Sequence, residues 1–369
     1  MKPTIVACFR GDDILREQGR LLFAALRPFA QAGYPIQLLD TVTRESAGKF
    51  GQGIFQFPEL ALTDQVPRDT ENKILLHDGP GRANAAKGWM RTARIRFDIF
   101  SSYWPHVPIV MPYPVFPIVH TGPDFDERLE SRRASKRHVR LFFSGDMKGY
   151  TKNRIRYPAP KLPRAEVIDT IREALPDKTL FVDDAGQIVE LFAGQYLNRC
   201  VLIDTRKTWL DDRLWMDHLA KTDFFLAPPG IVMPMCHNII EAMSVGAIPV
   251  TSYPEWLTPS LEHGKNCIVY STKHDLVEKV RAVLNMGEDA IASLRRNVIA
   301  YYDTHLRQER FIEDFESRGD RDVDILMISE RYVAQNAHKL NERSFIIRGA
   351  PPGGPTPWEA LLHVLRFRN

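Results

Sequence analysis

The stretch DFFLAPPGIVMPMCHNIIEAMSVGAIPV, Asp223 to Val250, decides the fold of this chain. FFLA is a short apolar run typical of a buried strand, and a Pro-Pro-Gly turn at 228–230 ends it. Apolar residues recur at helical spacing across 237–245, and Gly246 stops that helix before AIPV predicts a second strand. Strand, turn, helix and parallel strand together predict one half of a doubly wound α/β sheet.

The loop of this unit carries the first candidate ligand-binding residues. In open α/β sheets such loops lie at the carboxyl ends of the strands, where ligands bind. Gly230, His237, Asn238 and Glu241 lie in the loop and the first turns of its helix. The amino terminus of a helix favours an anion, and Glu241, one turn further, is placed to accept a hydrogen bond from a ribose or sugar hydroxyl. We therefore expect a nucleotide or sugar ligand here.

Two parts of this segment, APPG and IIEAMSVGAIPV, resemble the donor-sugar segment of GT-B glycosyltransferases, and their arrangement is most similar to exostosin-like enzymes. GKNCIVY at 264–270 and a predicted helix at 275–284 follow in the order usual for that family, so the resemblance covers about Arg140 to Leu284. It implies an α/β protein of the GT-B fold class. Such proteins have two Rossmann-like domains facing across a cleft, with C-terminal helices returning to the N-terminal domain.

Two positions depart from the family pattern. Retaining GT-B enzymes often have a second glutamate eight residues before the one that matches Glu241, where this chain has Met233. Exostosin-like members usually have an arginine where this chain has Asn238. The subfamily and the donor therefore stay open. An ordinary βαβ unit in another nucleotide-binding or sugar-binding protein is the alternative interpretation.

The rest of the chain fits two domains, which its length of 369 residues also favours. TIVACF at 4–9 predicts a first strand and 14–32 an amphipathic helix, as at the start of a Rossmann-like domain. The polar basic run Glu127–Arg140 is interpreted as an exposed interdomain crossover. The predicted domains are an N-terminal acceptor domain (1–130), a C-terminal nucleotide-sugar domain (140–300) and a C-terminal helical segment (301–369) that packs back on the N-terminal domain.

A second group of candidate donor-binding residues follows the strand RLFFSGD. Gly145 lets the backbone approach a phosphate, and the cations after it, among them Lys148 and Arg154, would neutralise a diphosphate. GT-B relatives often hold the donor diphosphate with a Lys or Arg in this loop, which is why these two are preferred. A solvated basic loop is the alternative for each cation.

Transfer of a sugar also needs a group that removes a proton from the acceptor hydroxyl. Asp13 is the first choice of catalytic residue, with Asp12 and His77 close behind, because each follows a predicted strand of the N-terminal domain. Asp78 and Glu17 are further candidates. Asp13 could instead cap a helix, and His77 could be a buried, satisfied histidine.

Composition indicates which binding partners and which cellular location to expect. The net charge of +3 gives no reason to expect nucleic acid as a partner. Four scattered cysteines and the lack of a secretory signal favour a cytoplasmic protein. The two Asp-x-Asp matches, Asp124-Phe-Asp126 and Asp322-Val-Asp324, are expected to be ordinary solvent-facing charges in a crossover and a late helical region. We therefore predict no metal and no cofactor, with the nucleotide-sugar as co-substrate.

The leading hypothesis is a glycosyltransferase, inverting and metal-independent, that moves a sugar from a nucleotide-sugar donor to a glycan or glycolipid acceptor. The resemblance places it in bacterial surface polysaccharide synthesis. A GT-B nucleotide-sugar epimerase and a non-catalytic sugar-binding or nucleotide-binding protein are the alternatives. The amphipathic stretch Trp358–Phe367 is expected to pack on the N-terminal domain, with peripheral contact at the inner membrane surface as its alternative.

Overall fold

The structure is a computed structural model, which describes residues 2–10, 13–79, 88–97, 108–117, 119, 125–147, 161–208 and 210–339. The chain divides into two compact units. Met1–Pro117 and Arg307–Asn369 make up the N-terminal unit, and Ile118–Leu306 makes up the C-terminal unit.

The elements of the described residues are numbered here in chain order. The strands are β1 (Thr4–Cys8), β2 (Ile36–Leu39), β3 (Leu60–Thr63), β4 (Lys73–His77), β5 (Arg91–Arg96), β6 (Ile109–Val110), β7 (Val139–Gly145), β8 (Thr179–Val182), β9 (Leu197–Asp204), β10 (Thr222–Ala227), β11 (Ile248–Thr251), β12 (Ile268–Val269) and β13 (Asp322–Leu326). The α-helices are α1 (Arg20–Gln31), α2 (Gly48–Gly51), α3 (Leu129–Arg133), α4 (Arg164–Ala174), α5 (Ala185–Ala193), α6 (Trp215–Ala220), α7 (His237–Ser244), α8 (Lys273–Leu284), α9 (Glu288–His305), α10 (Gln308–Ser317) and α11 (Glu330–Asn336).

The N-terminal unit is built on a parallel sheet with strand order β3-β2-β1-β4-β5-β13-β6. Strand order reverses between β1 and β4, since β2 and β3 extend to one side and β4 and β5 to the other. The predicted first strand is confirmed. The first helix begins at Arg20 rather than Ile14, because Glu17 and Gln18 have left-handed backbone angles that no α-helix accommodates.

The chain returns to the N-terminal unit after α9, as the resemblance implied. In α10 the rings of Phe311 and Phe315 pack edge-on against Phe29 of α1, with centroid distances of 5.6 and 5.1 Å. Lys2 at the start of the chain forms a 2.7 Å ion pair with Glu316. Aromatic burial of this kind fixes α10 on α1.

One interpretation of the returning segment was wrong. Asp322-Val-Asp324 is not in a helical region but forms the start of β13, between β5 and β6. Val323 and Ile325 enter the core while the two aspartates point to the other face, which is the two-residue period of a strand. Asp324 is only 3% exposed and lies 3.3 Å from Arg96, so it is not a solvent-facing charge.

The C-terminal unit contains a second parallel sheet with strand order β12-β11-β10-β7-β9-β8. Its order reverses between β7 and β10. The strand-turn-helix-strand prediction from the opening segment is confirmed as β10, α7 and β11. Two parallel α/β sheets confirm the predicted fold class; the cleft between the domains stays a prediction.

The basic run Glu127–Arg140 is not an exposed crossover, contrary to the sequence interpretation. It forms α3 and enters β7 within the C-terminal unit. The guanidinium of Arg133 donates to both carboxylate oxygens of Asp303, at 2.7 and 3.0 Å, and to the carbonyl of Ser244 at 2.9 Å. A bidentate arginine pair of this kind holds α3, α7 and α9 together.

Arg137, four residues after Arg133 in the same run, also donates hydrogen bonds to the ends of helices. Its guanidinium donates to the carbonyls of Ala220, Thr222, Arg133 and Val245. Ala220 ends α6 and Val245 follows α7, so one cation satisfies the unpaired carbonyls at two helix ends. Burial lowers the pKa of Arg137 to about 9. Arg133 and Arg137 are therefore partly buried because they cap helices, while Glu127, Arg128, Glu130 and Lys136 of the same run are exposed.

Among the helices of these described ranges, none combines the length and the hydropathy needed to cross a bilayer.

Candidate functional site

The candidate donor site lies in the C-terminal unit, at the carboxyl ends of β7 and β10. Ligands bind open α/β sheets where strand order reverses, because the loops there diverge and leave a crevice. Gly145 ends β7, and the turn that begins at Pro228 follows β10. The reversal therefore brings together two of the predicted segments.

Gly230 shapes the loop after β10. Its N–H donates to the carbonyl of Pro234 at 3.0 Å, which closes a tight turn. A Cβ at this position would lie 2.4 Å from the carbonyl oxygen of Met233, so a side chain cannot be accommodated without moving the backbone. The turn directs the chain into α7 and places His237 at its start.

The first turn of α7 is arranged to accept an anion. Its N-cap residue Cys236 makes no side-chain capping hydrogen bond, and Cys236, His237 and Asn238 are all partly exposed. The Cys236 Sγ lies 3.9 Å from His237 Nδ1 and 3.6 Å from Asn238 Oδ1. Backbone N–H groups that the Cys236 side chain does not cap, together with the helix dipole, favour a negatively charged ligand.

Two cations that the sequence analysis did not select lie at the same edge of the sheet. Arg164 opens α4 directly after Pro163 and is 8% exposed. Its Nη1 donates to the carbonyl of Asp146 at 3.4 Å and would lie 3.6 Å from a Cβ placed on Gly145. The guanidinium is therefore at the end of β7, where glycine leaves the backbone approachable.

Lys161 is the second of these cations. Its ammonium lies 2.9 Å from the carboxylate of Glu255 and also donates to the carbonyl of Ser252, which follows β11. The Lys161 side chain is 6% exposed. The sequence signal for this pair is the segment KLPR at 161–164, in which a lysine and an arginine lie on either side of the Leu-Pro pair that precedes the helix.

Glu241 is fully buried, whereas a side chain that contacts a ligand was expected to be accessible from the loop. Nε1 of Trp215 in α6 donates to Glu241 Oε2 at 2.7 Å. The hydrogen bond connects α6 with α7, the helix that presents His237 and Asn238. Its contact with a ribose or sugar hydroxyl stays a prediction.

The Trp215–Glu241 hydrogen bond should contribute to stability. Replacing Trp215 by Phe leaves a buried carboxylate oxygen without its donor, and we expect a loss of about 1–3 kcal/mol in the free energy of unfolding. Denaturant unfolding of Trp215→Phe, Glu241→Met and the double variant gives the coupling between the two side chains, since methionine has a similar length and no acceptor oxygen. Strictly additive effects would contradict a direct interaction.

A cavity of about 610 Å³ opens beside this edge, between α4, β8 and β9. Its apolar lining comes from Met147, Ile168, Phe181 and Leu202 among others, and its charged lining from Asp169, Arg172, Asp183, Asp204 and Lys207. Two ion pairs, Arg172–Asp169 at 2.8 Å and Lys207–Asp183 at 3.0 Å, neutralise most of these charges. Asp204 is in register with Gly145, so the cavity adjoins the end of β7.

The N-terminal unit has its own strand reversal, between β1 and β4. His77 ends β4 in register with Cys8 of β1, and Asp78 accepts a hydrogen bond from the N–H of Arg10 at 2.8 Å. Burial, and to a smaller extent the charge of Arg94, lowers the pKa of His77 to about 4. His77 is therefore a neutral imidazole at pH 7, able to accept a proton but a weak base.

Asp13 begins a short 3-10 turn after β1. Its Oδ1 lies 3.8 Å from Nε of Arg16, and the carboxylate is partly exposed. Asp13 thus follows β1 and His77 is the last residue of the neighbouring strand β4; their catalytic role stays a prediction. Asp12, Lys148 and Arg154 lie outside the described residues, as does Asp124. Within the described part of the chain, no three His, Cys, Asp or Glu side chains are grouped as metal ligands would be.

No protein-family model and no curated protein sequence matches this chain. Solved structures similar to it include a glycosyltransferase from Rickettsia africae (10% identity, TM-score 0.45, 85% of this chain and 97% of that one). A second is an α-glucosyltransferase in complex with UDP and mismatched DNA, with 11% identity, a TM-score of 0.44, and coverage of 86% of this chain and 99% of that one. A third is Anabaena Alr3699/HepE in complex with UDP, with 11% identity, a TM-score of 0.41, and coverage of 85% of this chain and 98% of that one. At these scores we transfer no activity from them, and function is inferred from the residues of this chain.

Proposed function

We propose that this chain is a GT-B glycosyltransferase that moves a sugar from a nucleotide-sugar donor to a hydroxyl of a glycan or glycolipid. The observation that carries the proposal is the position of Arg164. A nearly buried guanidinium lies at the strand reversal, beside Gly145, in the segment whose sequence resembles a donor site. Bacterial surface polysaccharide synthesis and an inverting, metal-independent reaction are part of this proposal.

The donor diphosphate would lie between Arg164 and the first turn of α7. A cation at the end of β7 and uncapped N–H groups after the β10 turn are two sources of positive potential on neighbouring strands. Both act in a partly dry environment, where charge interactions are stronger than in water. Neither requires a metal ion.

The base of the donor would occupy the cavity beside β9. Its volume of about 610 Å³ falls within the usual range for small-molecule sites, and its apolar lining suits the face of a planar base. The Asp204 Oδ1 accepts hydrogen bonds from the N–H groups of Arg206 and Met147, at 3.2 and 3.5 Å. These bonds fix its carboxylate in the lining of the cavity, where it would accept a hydrogen bond from a base N–H.

In the proposed reaction the acceptor oxygen attacks the anomeric carbon of the donor sugar. The bond from that carbon to the phosphate oxygen breaks, and the nucleoside diphosphate leaves with the electron pair. Positive charge at Arg164 and α7 stabilises the leaving phosphate. The acceptor proton passes to a base, for which Asp13, Asp12 and His77 remain the candidates.

Screening nucleoside diphosphates for thermal stabilisation tests donor binding directly, since a ligand at 100 times its Kd stabilises the native state by about 2.7 kcal/mol. The stabilising nucleotide then selects the nucleotide-sugars for product analysis. We expect a new glycosidic bond to an added acceptor, formed equally well with EDTA present. An isomerised sugar would identify an epimerase, and intact ligand a binding protein. Loss of transfer with EDTA would contradict metal independence.

A further inference from the structure

We infer that Glu17 is a positioning residue, whose carboxylate ties the first βα loop of the N-terminal unit to the start of α11. The loop, 13–19, carries Asp13, so the inference rests on the proposed function for its catalytic consequence. The structural connection itself does not depend on that function. Glu330, at the other end of the connection, belongs to the segment that returns to this unit after α9.

The backbone of the loop provides the first observation. Glu17 and Gln18 have φ values of 57° and 59°, and Gly19 continues the left-handed run at 80°. Glycine adopts this conformation freely, but each residue with a side chain does so at a cost of roughly 1–3 kcal/mol. Two such residues in succession persist only where surrounding contacts hold them.

The contact that holds Glu17 provides the second observation. Its Oε1 accepts a hydrogen bond of 2.7 Å from the N–H of Glu330, the first residue of α11. The hydroxyl of Ser329 accepts from the N–H of Tyr332 at 3.3 Å, so the first turn of α11 is capped by its own serine and by Glu17. A side-chain oxygen at a helix amino terminus satisfies an N–H group that has no acceptor within the helix.

The charges around Glu17 make this connection dependent on pH. Burial first, and then the charge of Glu330, raise the pKa of Glu17 to about 7, against smaller lowering effects of the Glu330 N–H, Arg20 and Ser329. The docked loop therefore favours the protonated carboxyl. The equilibrium constant for docking of the loop on α11 therefore falls as pH rises from about 4.5 towards 7, by up to about tenfold per pH unit. Above that range the constant no longer changes with pH.

Hydrogen exchange tests the connection without reference to activity. The full-length protein is compared with Glu17→Ala and Glu17→Gln by mass spectrometry, in peptides covering 13–19 and 330–336. We expect Glu17→Ala to speed exchange in both peptides by about tenfold or more. Glutamine keeps an acceptor oxygen and cannot ionise. Glu17→Gln should therefore preserve protection at pH 7 and abolish its variation between pH 5 and 7, after correction for intrinsic rates.

Glu316→Gln is the matched control, because Glu316 forms an ion pair with Lys2 in the same unit and lies outside this loop. Unchanged exchange in 330–336 for Glu17→Ala, or wild-type pH dependence in Glu17→Gln, would overturn the inference. If Glu17→Ala does not fold, the pH dependence of exchange in Glu17→Gln tests the inference by itself.

In an active preparation, Glu17→Ala should lower kcat with donor KM unchanged, and Glu17→Gln should have the wild-type kcat at pH 7. A wild type without transferase activity would reject the proposed function and leave the exchange result standing.

Discussion

Gly19→Ala should lower the free energy of unfolding by about 3–5 kcal/mol, or prevent folding. A Cβ on Gly19 would lie 1.7 Å from the carbonyl oxygen of Ala47 and 2.8 Å from Cα of Gly51, so the clash is with backbone at both ends of α2. The φ of 80° adds strain for any residue with a side chain. Relief requires the first βα loop and α2 to separate.

Gly33→Ala is a matched control for this prediction. Gly33 has a similar φ of 77°, yet nothing lies within 4 Å of the Cβ position. The substitution should lower the free energy of unfolding only by the cost of a left-handed backbone conformation, about 1–2 kcal/mol. Denaturant unfolding of both variants separates the steric contribution from the conformational one, and equal losses would contradict close packing of the loop against α2.

Arg164→Met should weaken nucleoside diphosphate binding by roughly 10- to 100-fold, which corresponds to about 1.5–3 kcal/mol for hydrogen bonds to a charged group. The guanidinium is nearly buried at the end of β7, so solvent screens it little. Methionine retains an apolar stem of similar length and removes the guanidinium, whose carbon lies 5.9 Å from the centre of the Phe143 ring. Titration calorimetry with the nucleotide found by thermal screening gives the change in Kd.

Arg213→Met serves as the control, since Arg213 is 85% exposed in the same unit. It removes the same charge from the unit without touching the candidate site. Equal losses of affinity in both variants would show that only overall charge matters. Unchanged affinity in Arg164→Met, with the protein folded, would remove the observation on which the proposed function rests.

Local patterns predicted much of the fold. Apolar runs such as TIVAC and FFLA formed buried parallel strands, because a strand buried on both faces needs continuous apolar sequence. The Pro-Gly turn and Gly246 marked the limits of α7 closely, since backbone preferences of proline and glycine act within a few residues. The strand-end positions of His77 and Gly145 were predicted for the same reason.

Other features depended on partners far along the chain. DVDIL at 322–326 forms a strand because it pairs with β5 on one side and β6 on the other, and Asp324 is buried beside Arg96 of β5. The basic run at 127–140 read as solvated because the carbonyls that it caps, such as those of Ser244 and Val245, are more than a hundred residues away. Neither pairing has a local signature.

The segment Asp223 to Val250 shows which features depend on local sequence and which depend on tertiary packing. By itself the sequence determined that Asp223 to Val250 forms strand, turn, helix and strand, with Gly230 and His237 between the carboxyl end of β10 and the start of α7. Only the tertiary structure decided that Glu241 is enclosed against Trp215 and that Arg164 lies beside Gly145. Secondary structure follows from preferences of neighbouring residues, whereas burial and charge pairing depend on which distant elements pack together.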